Sequence, residues 1–95
     1  MKTIDTVVFS KQALKDLRKV PKYLVLKLQA WVFDIELYGL HEVMKIPGYH
    51  DEPLKGQRSG QRSIRLNRAY RAIYHILDNG DVEFIEVLEV NKHDY

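Results

Sequence analysis

Two runs rich in β-branched and aromatic residues, Tyr70 to Leu77 and Val82 to Val90, are separated by Asp78-Asn79-Gly80-Asp81. Asn-Gly readily adopts the left-handed backbone that a tight reversal needs, so the two runs are predicted to pair as antiparallel strands. A shorter run, Arg62 to Leu66, precedes them and makes a three-stranded meander. Within it Ile64 and Leu66 alternate with Ser63 and Arg65, while Tyr70, Ala72, Tyr74 and Ile76 alternate with Arg71, Ile73 and His75. If the aliphatic pair turns inward, Arg65 turns outward, and Arg71 can face out beside it.

The first half has a different period. Thr3 to Phe9 reads as a strand, Ser10 as a helix N-cap, and Ala13, Leu14 and Leu17 recur at helical spacing up to Val20. Pro21 ends that helix and opens a second, Lys22 to Tyr38, closed by Gly39. The second helix carries two apolar stripes: Leu24, Leu28, Trp31, Ile35 and Tyr38, widened by Val25 and Val32, and on nearly the opposite face Leu26, Ala30, Phe33 and Leu37. The simplest arrangement is a helix hairpin that buries both stripes; the alternative leaves the second for another protein. Pro47, Gly48, Pro53, Gly56 and Gly60 punctuate a long connection from Leu40 to Gly60, of the kind that is functional or mobile in small domains. The order β-α-α-β-β-β predicts one α+β domain over residues 1–95. Its two N-terminal helices pack on one face of a small, mainly antiparallel four-stranded sheet, and the other face stays open.

Charge is concentrated on part of that sheet. Lys55 to Ile76 carries Lys55, Arg58, Arg62, Arg65, Arg68 and Arg71 and no carboxylate, whereas the whole chain is only +2. The nearest acids, Asp51, Glu52 and Asp78, flank the run, which leaves the cations without local partners. Arginines on an outer sheet face are commonly just solvated. Their density beside Tyr70 and Tyr74 also suits a polyanion, although both tyrosines fit core or edge packing better than stacking. There is no cysteine, and MKTIDTVVF has neither the cleavage site of a signal peptide nor the length of a membrane span. A cytoplasmic protein with no membrane partner is the expectation.

The motifs Pro53-Leu54-Lys55-Gly56, Ser63-Ile64-Arg65-Leu66, Tyr70-Arg71-Ala72-Ile73-Tyr74 and Lys92-His93-Asp94-Tyr95 occur in this order along the chain. Taken with the order of elements, the sequence resembles the RelE/ParE superfamily of bacterial toxins, most closely its RelE and HigB-like branch. That resemblance implies the toxin of a type II toxin-antitoxin pair, a metal-independent endoribonuclease that cuts messenger RNA, in many members on the ribosome, and so inhibits translation. It also implies a cognate antitoxin, which on charge grounds is expected to present carboxylates to the cationic face or an apolar helix to the spare stripe. Arg65 and Arg71 match positions where relatives contact the scissile phosphate. His93 and Tyr95 fall in the C-terminal segment that supplies acid-base and stacking groups. Some HigB-like relatives close on Asp-Tyr-His; here His93 precedes Asp94-Tyr95.

These residue types support attack of a ribose 2′-hydroxyl on the adjacent phosphate, which needs a proton acceptor, a proton donor and positive charge but no metal. The expected roles are proton transfer for His93, charge stabilisation for Arg65 and Arg71, and base orientation or shared proton transfer for Tyr95. Lys55, Arg58, Arg62, Arg68 and Lys92 are candidates to hold the RNA backbone. No cofactor or metal is expected, since His41, His50 and His75 lack metal-ligand spacing. His50, in the long loop, is a reserve candidate, and His75 on its strand is expected to be structural. The rivals are a ParE-like toxin that inhibits DNA gyrase without nuclease activity, and a non-catalytic RNA-binding module.

Overall fold

The computed structural model describes residues 3–92. Strands β1 (Val7–Phe9), β2 (Glu52–Pro53), β3 (Gln61–Arg65), β4 (Tyr70–Asp78) and β5 (Glu83–Lys92) form one sheet in the order β1-β5-β4-β3-β2. β1 runs parallel to β5 and every other pairing is antiparallel. The sheet has five strands rather than the predicted four. The extra one is two residues long, at the edge, where Pro53 can sit without offering a ladder donor. Helices α1 (Lys11–Leu17) and α2 (Lys22–Tyr38) cover one face. The long connection contains a short helix α3 (Leu40–Val43) and two 3-10 turns, Pro47–Tyr49 and Gly56–Arg58. It is more ordered than its Pro and Gly content implied, because Leu40, Val43 and Tyr49 anchor it in the core.

Local signals set the helix ends. Ser10 Oγ accepts from Ala13 N at 3.0 Å, and the same hydroxyl donates to Leu88 O at 2.7 Å, so the cap of α1 is also a tie to β5. Gly39 has φ +85°, and a Cβ there would collide with Thr3 Cγ2; its neighbour Leu40 donates to Ile4 O at 2.8 Å. Only glycine allows the turn that brings the end of α2 back against the N-terminal segment.

Leu24, Leu28, Trp31 and Ile35 of α2 are buried against the sheet, with the Trp31 and Tyr74 ring centroids 5.3 Å apart. The other stripe is not covered. Leu26, Phe33 and Leu37 are each more than half exposed, which overturns the expected hairpin burial of both stripes. The reason is the reach of α1: seven residues rise only about 10 Å, and that short helix packs onto β5 and β1 rather than across the outer side of α2.

Between β4 and β5 the register shifts, with Ile73 opposite Glu89 and Tyr74 opposite Val87, leaving Leu88 as an extra residue. The bulge lets Val87 and Val90 both face the helices, although they are three apart, and turns Glu89 and Asn91 to the other face.

Candidate phosphate-binding hollow

Because β3 and β4 pair with Arg65 opposite Arg71, strand alternation puts both guanidinium groups on the face away from the helices. Asn91 of β5 stands opposite Arg71 and completes the row. The two arginines have Cα atoms on the order of 5 Å apart. Neither forms an ion pair or side-chain hydrogen bond among the described residues, and Arg71 Nε is buried without an acceptor among them. A directly opposed pair of like charges opposes folding, and an unanswered buried donor adds a desolvation cost. A phosphate oxygen would relieve both.

The pair borders a hollow of about 150 Å³ between the sheet and the loop that carries β2. Glu52 and His50 line it from the loop, Asn67 and Tyr70 from the β3–β4 turn. His50 is held there in a left-handed conformation, φ 45°, after the Pro47–Tyr49 turn. Asn67 Oδ1 accepts from Ala69 N and Tyr70 N, both at 2.8 Å, which stiffens that turn. Two cations, a carboxylate and an imidazole thus share one pocket: a phosphate can be held next to groups able to accept or donate a proton.

The remaining predicted contacts are scattered. Lys55 and Arg68 are exposed, each one residue along from a lining residue, Leu54 and Asn67. Lys92 is exposed at the end of β5, opposite Tyr70. His93 and Tyr95 lie outside the described residues. The expectation that the run lacks acid partners fails for two arginines. Arg58 Nη2 donates to Glu89 Oε1 at 2.5 Å, a bridge from the loop to β5 in the row that holds the buried Ser63 and Ile73. Arg62 is on the helix side of β3, where Nε donates to Asp51 Oδ1 at 2.7 Å, while the Tyr74 hydroxyl donates to Asp51 Oδ2 at 2.5 Å. The Asp51 side chain is 1% exposed. Both partners are distant in space from what their sequence neighbours imply: a bulge delivers Glu89, and the β2 turn delivers Asp51. His75 stands opposite Glu86 on the open face, with Nε2 2.7 Å from Glu86 Oε1.

Glu52 and Asn67 were not singled out in the sequence as site residues. Glu52 had a signal, since it stands directly before the Pro53-Leu54-Lys55-Gly56 motif, but it counted there only as an acid flanking the cationic run. Asn67 had none beyond its turn propensity. Among the described residues no three His, Asp or Glu side chains gather as metal ligands, and no helix is long and apolar enough to cross a membrane.

Burial, then the hydrogen bond to Asp51, raises the Tyr74 phenol well above its usual pKa. Burial and the Asp34 hydrogen bond push Tyr49 up to about 12. Each folded tyrosine keeps a proton that the unfolded chain gives up near pH 10, so their stabilisation is intact below about pH 10 and declines as pH rises beyond it. Thermal melts from pH 8 to 11.5 should show a falling melting temperature above pH 10, with a shallower slope in Tyr74→Phe. An unchanged slope in that variant contradicts the assignment.

A family model described as the ParE toxin of the type II toxin-antitoxin system parDE matches residues 7–93. Among solved structures, the chain is similar to a YoeB/ParE toxin from Agrobacterium tumefaciens, at 20% identity over 94% of this chain and 99% of that one, with TM-score 0.68. It is similar to a YoeB-YefM complex from Staphylococcus aureus at 25% identity, 94% and 97% coverage and TM-score 0.69. The RelBE2 toxin-antitoxin complex from Mycobacterium tuberculosis gives 24% identity, 95% and 99% coverage and TM-score 0.66. No curated protein matches the sequence significantly.

Proposed function

The chain belongs to the ParE toxin family of type II toxin-antitoxin systems, within the RelE/ParE superfamily, and from that premise we propose that it is a metal-independent endoribonuclease that cuts messenger RNA, on the ribosome, and so blocks translation. The observation that carries this reading is the Arg65–Arg71 pair, two cations side by side on an accessible face with no carboxylate between them and a buried Nε that lacks an acceptor among the described residues. A pair held at that cost is explained by an anion that arrives from outside.

In the proposed reaction the 2′-hydroxyl loses its proton and its oxygen forms a bond to the adjacent phosphorus. The bond from phosphorus to the 5′-oxygen of the next nucleotide breaks, and that oxygen takes up a proton. The products are a 2′,3′-cyclic phosphate and a 5′-hydroxyl. Arg65 and Arg71 stabilise the charge that grows on the non-bridging oxygens. Glu52 and His50 are the described lining groups able to accept a proton. His93 and Tyr95 retain proposed roles in proton transfer and base orientation. Lys55, Arg68 and Lys92 are proposed to hold the backbone more weakly; Arg58 and Arg62 already have carboxylate partners and contribute less. The proposed partner is a cognate antitoxin that presents carboxylates to the hollow, since two of the solved relatives are toxin-antitoxin complexes.

The ParE description of the matched family favours a second reading, a toxin that binds DNA gyrase and leaves RNA intact. Purified protein added to a translating extract separates the two. New RNA ends bearing a 5′-hydroxyl are expected within the messages. Intact messages with gyrase-dependent DNA breaks, or RNA bound in stoichiometric amount without new ends, overturn the nuclease reading.

A further inference from the structure

The row of side chains that begins with Arg65 and Arg71 on the open face does not end in another cation. Asn91 is the next residue across the sheet, half-buried, and one hydrogen bond decides which end of its amide is left free. Its Nδ2 donates to Glu89 Oε1 at 2.9 Å. An ionised carboxylate only accepts, so the amide turns its NH2 toward Glu89 and presents Oδ1 on the other side. Glu89 is itself fixed: Oε1 also accepts from Arg58 Nη2, and Arg58 Nη1 donates to Gln61 Oε1 at 2.7 Å. No donor reaches Asn91 Oδ1 among the described residues, although two guanidinium groups stand in the same row.

We propose that Asn91 Oδ1 accepts a hydrogen bond from the ribose 2′-hydroxyl of the nucleotide whose 3′-phosphate rests on Arg65 and Arg71, and so makes the site select RNA over DNA. The inference rests on the nuclease reading above and adds to it a residue that reads the sugar. An acceptor beside an anion site repels phosphate oxygens, so it is of use only against a donor that the same ligand carries. Opposed residues of an antiparallel pair have Cα atoms about 5 Å apart, and the buried Arg71 Nε keeps that guanidinium close to the sheet, within range of a side chain as short as asparagine. The donor therefore belongs to the group attached directly to the phosphate. In RNA that group is the ribose, whose 2′-hydroxyl is on the carbon next to the one that bears the 3′-phosphate, while the polar edge of the base lies beyond the sugar.

Asn91 does not take the proton, because a neutral amide is a very weak base. Its hydrogen bond holds the hydroxyl in place until a lining group removes that proton. Glu89 and Arg58 act through Asn91 as positioning residues, and the bulge at Leu88 is what sets Glu89 and Asn91 on the open face.

Titration of the ¹⁵N-labelled full chain with inorganic phosphate, adenosine 3′-monophosphate, and the 2′-deoxy and 2′-O-methyl analogues of that nucleotide tests the proposal. None of these has a 5′-linked leaving group, so none is cleaved. All are expected to shift the Arg65 and Arg71 signals. The ribonucleotide should bind about three- to tenfold more tightly than its deoxy analogue, the worth of one neutral hydrogen bond. The 2′-O-methyl analogue, which has the oxygen but no donor, should bind no better than the deoxy. In Asn91→Ala the preference should vanish while the affinity for inorganic phosphate is unchanged. Asn91→Leu, closer in outline to asparagine and also without an acceptor, should behave alike and covers the case in which alanine disturbs β5. Equal binding of the ribo and deoxy nucleotides by the parent, or a preference that survives both variants, overturns the role of Asn91 and leaves the anion site standing. So does a loss in both variants that extends equally to inorganic phosphate, the mark of a structural role. No shift at Arg65 and Arg71 with any of these anions overturns the anion site itself, and the inference with it.

Discussion

Arg71→Ala and Arg65→Ala are each expected to reduce message cleavage by about a hundred- to a thousandfold, with the melting temperature unchanged or slightly raised. The two halves of that result have one origin. The pair stands directly opposed across β3 and β4 with no ion-pair partner among the described residues, so removing either member relieves a repulsion. In the proposed reaction the same two cations would face the non-bridging oxygens as charge accumulates, where a fixed donor is worth most. Cleavage in extract and thermal melts on the same preparations check both halves. Loss of activity together with a fall of many degrees marks the pair as a scaffold feature instead. Arg62→Ala is the contrasting control: it lies on the other face, so its removal lowers the melting temperature by leaving Asp51 in the interior with only Tyr74 to answer it.

Asp51→Ala should cost about 3 kcal/mol of stability, as much as truncating a large core side chain. The carboxylate is almost wholly enclosed and answers two donors at once, the Arg62 guanidinium and the Tyr74 hydroxyl. Truncation leaves a cation and a phenol in low-dielectric surroundings without an acceptor, whereas Asp51→Asn keeps the shape and one acceptor and should cost less. For a domain of this size that loss is a large part of the total, and it corresponds to a fall on the order of 15 °C in melting temperature. Denaturant titration of both variants checks it. Activity should fall too, and recover in part on cooling, because Asp51 immediately precedes the strand that carries Glu52 into the hollow. Equal stability of Asp51→Ala and the parent would show that the network carries no weight.

Much of this architecture could be read locally. Ser10, Pro21 and Gly39 mark helix ends through their own backbone and side-chain preferences, and the Asn79-Gly80 turn announces the last hairpin. Alternation of Ile64 and Leu66 with Arg65 settles which way Arg65 points once one face is buried. Each of these signals acts within a few residues of itself.

The candidate site depended on contacts of another range. Nothing near Arg65 states that Arg71 is its cross-strand neighbour; the β3–β4 register decides that, and the β3–β4 turn sets the register. The bulge at Leu88 places Glu89 on the open face for Arg58, and the fold of the connection takes Asp51 to Arg62 while leaving Glu52 and His50 beside the phosphate-sized hollow. The second stripe of α2 looked like core by periodicity alone, and only the short reach of α1 leaves it in solvent. Periodicity and turn chemistry record which residues prefer to be inside. Which polar groups then meet is settled by chain closure over tens of residues, for which a linear pattern carries no term.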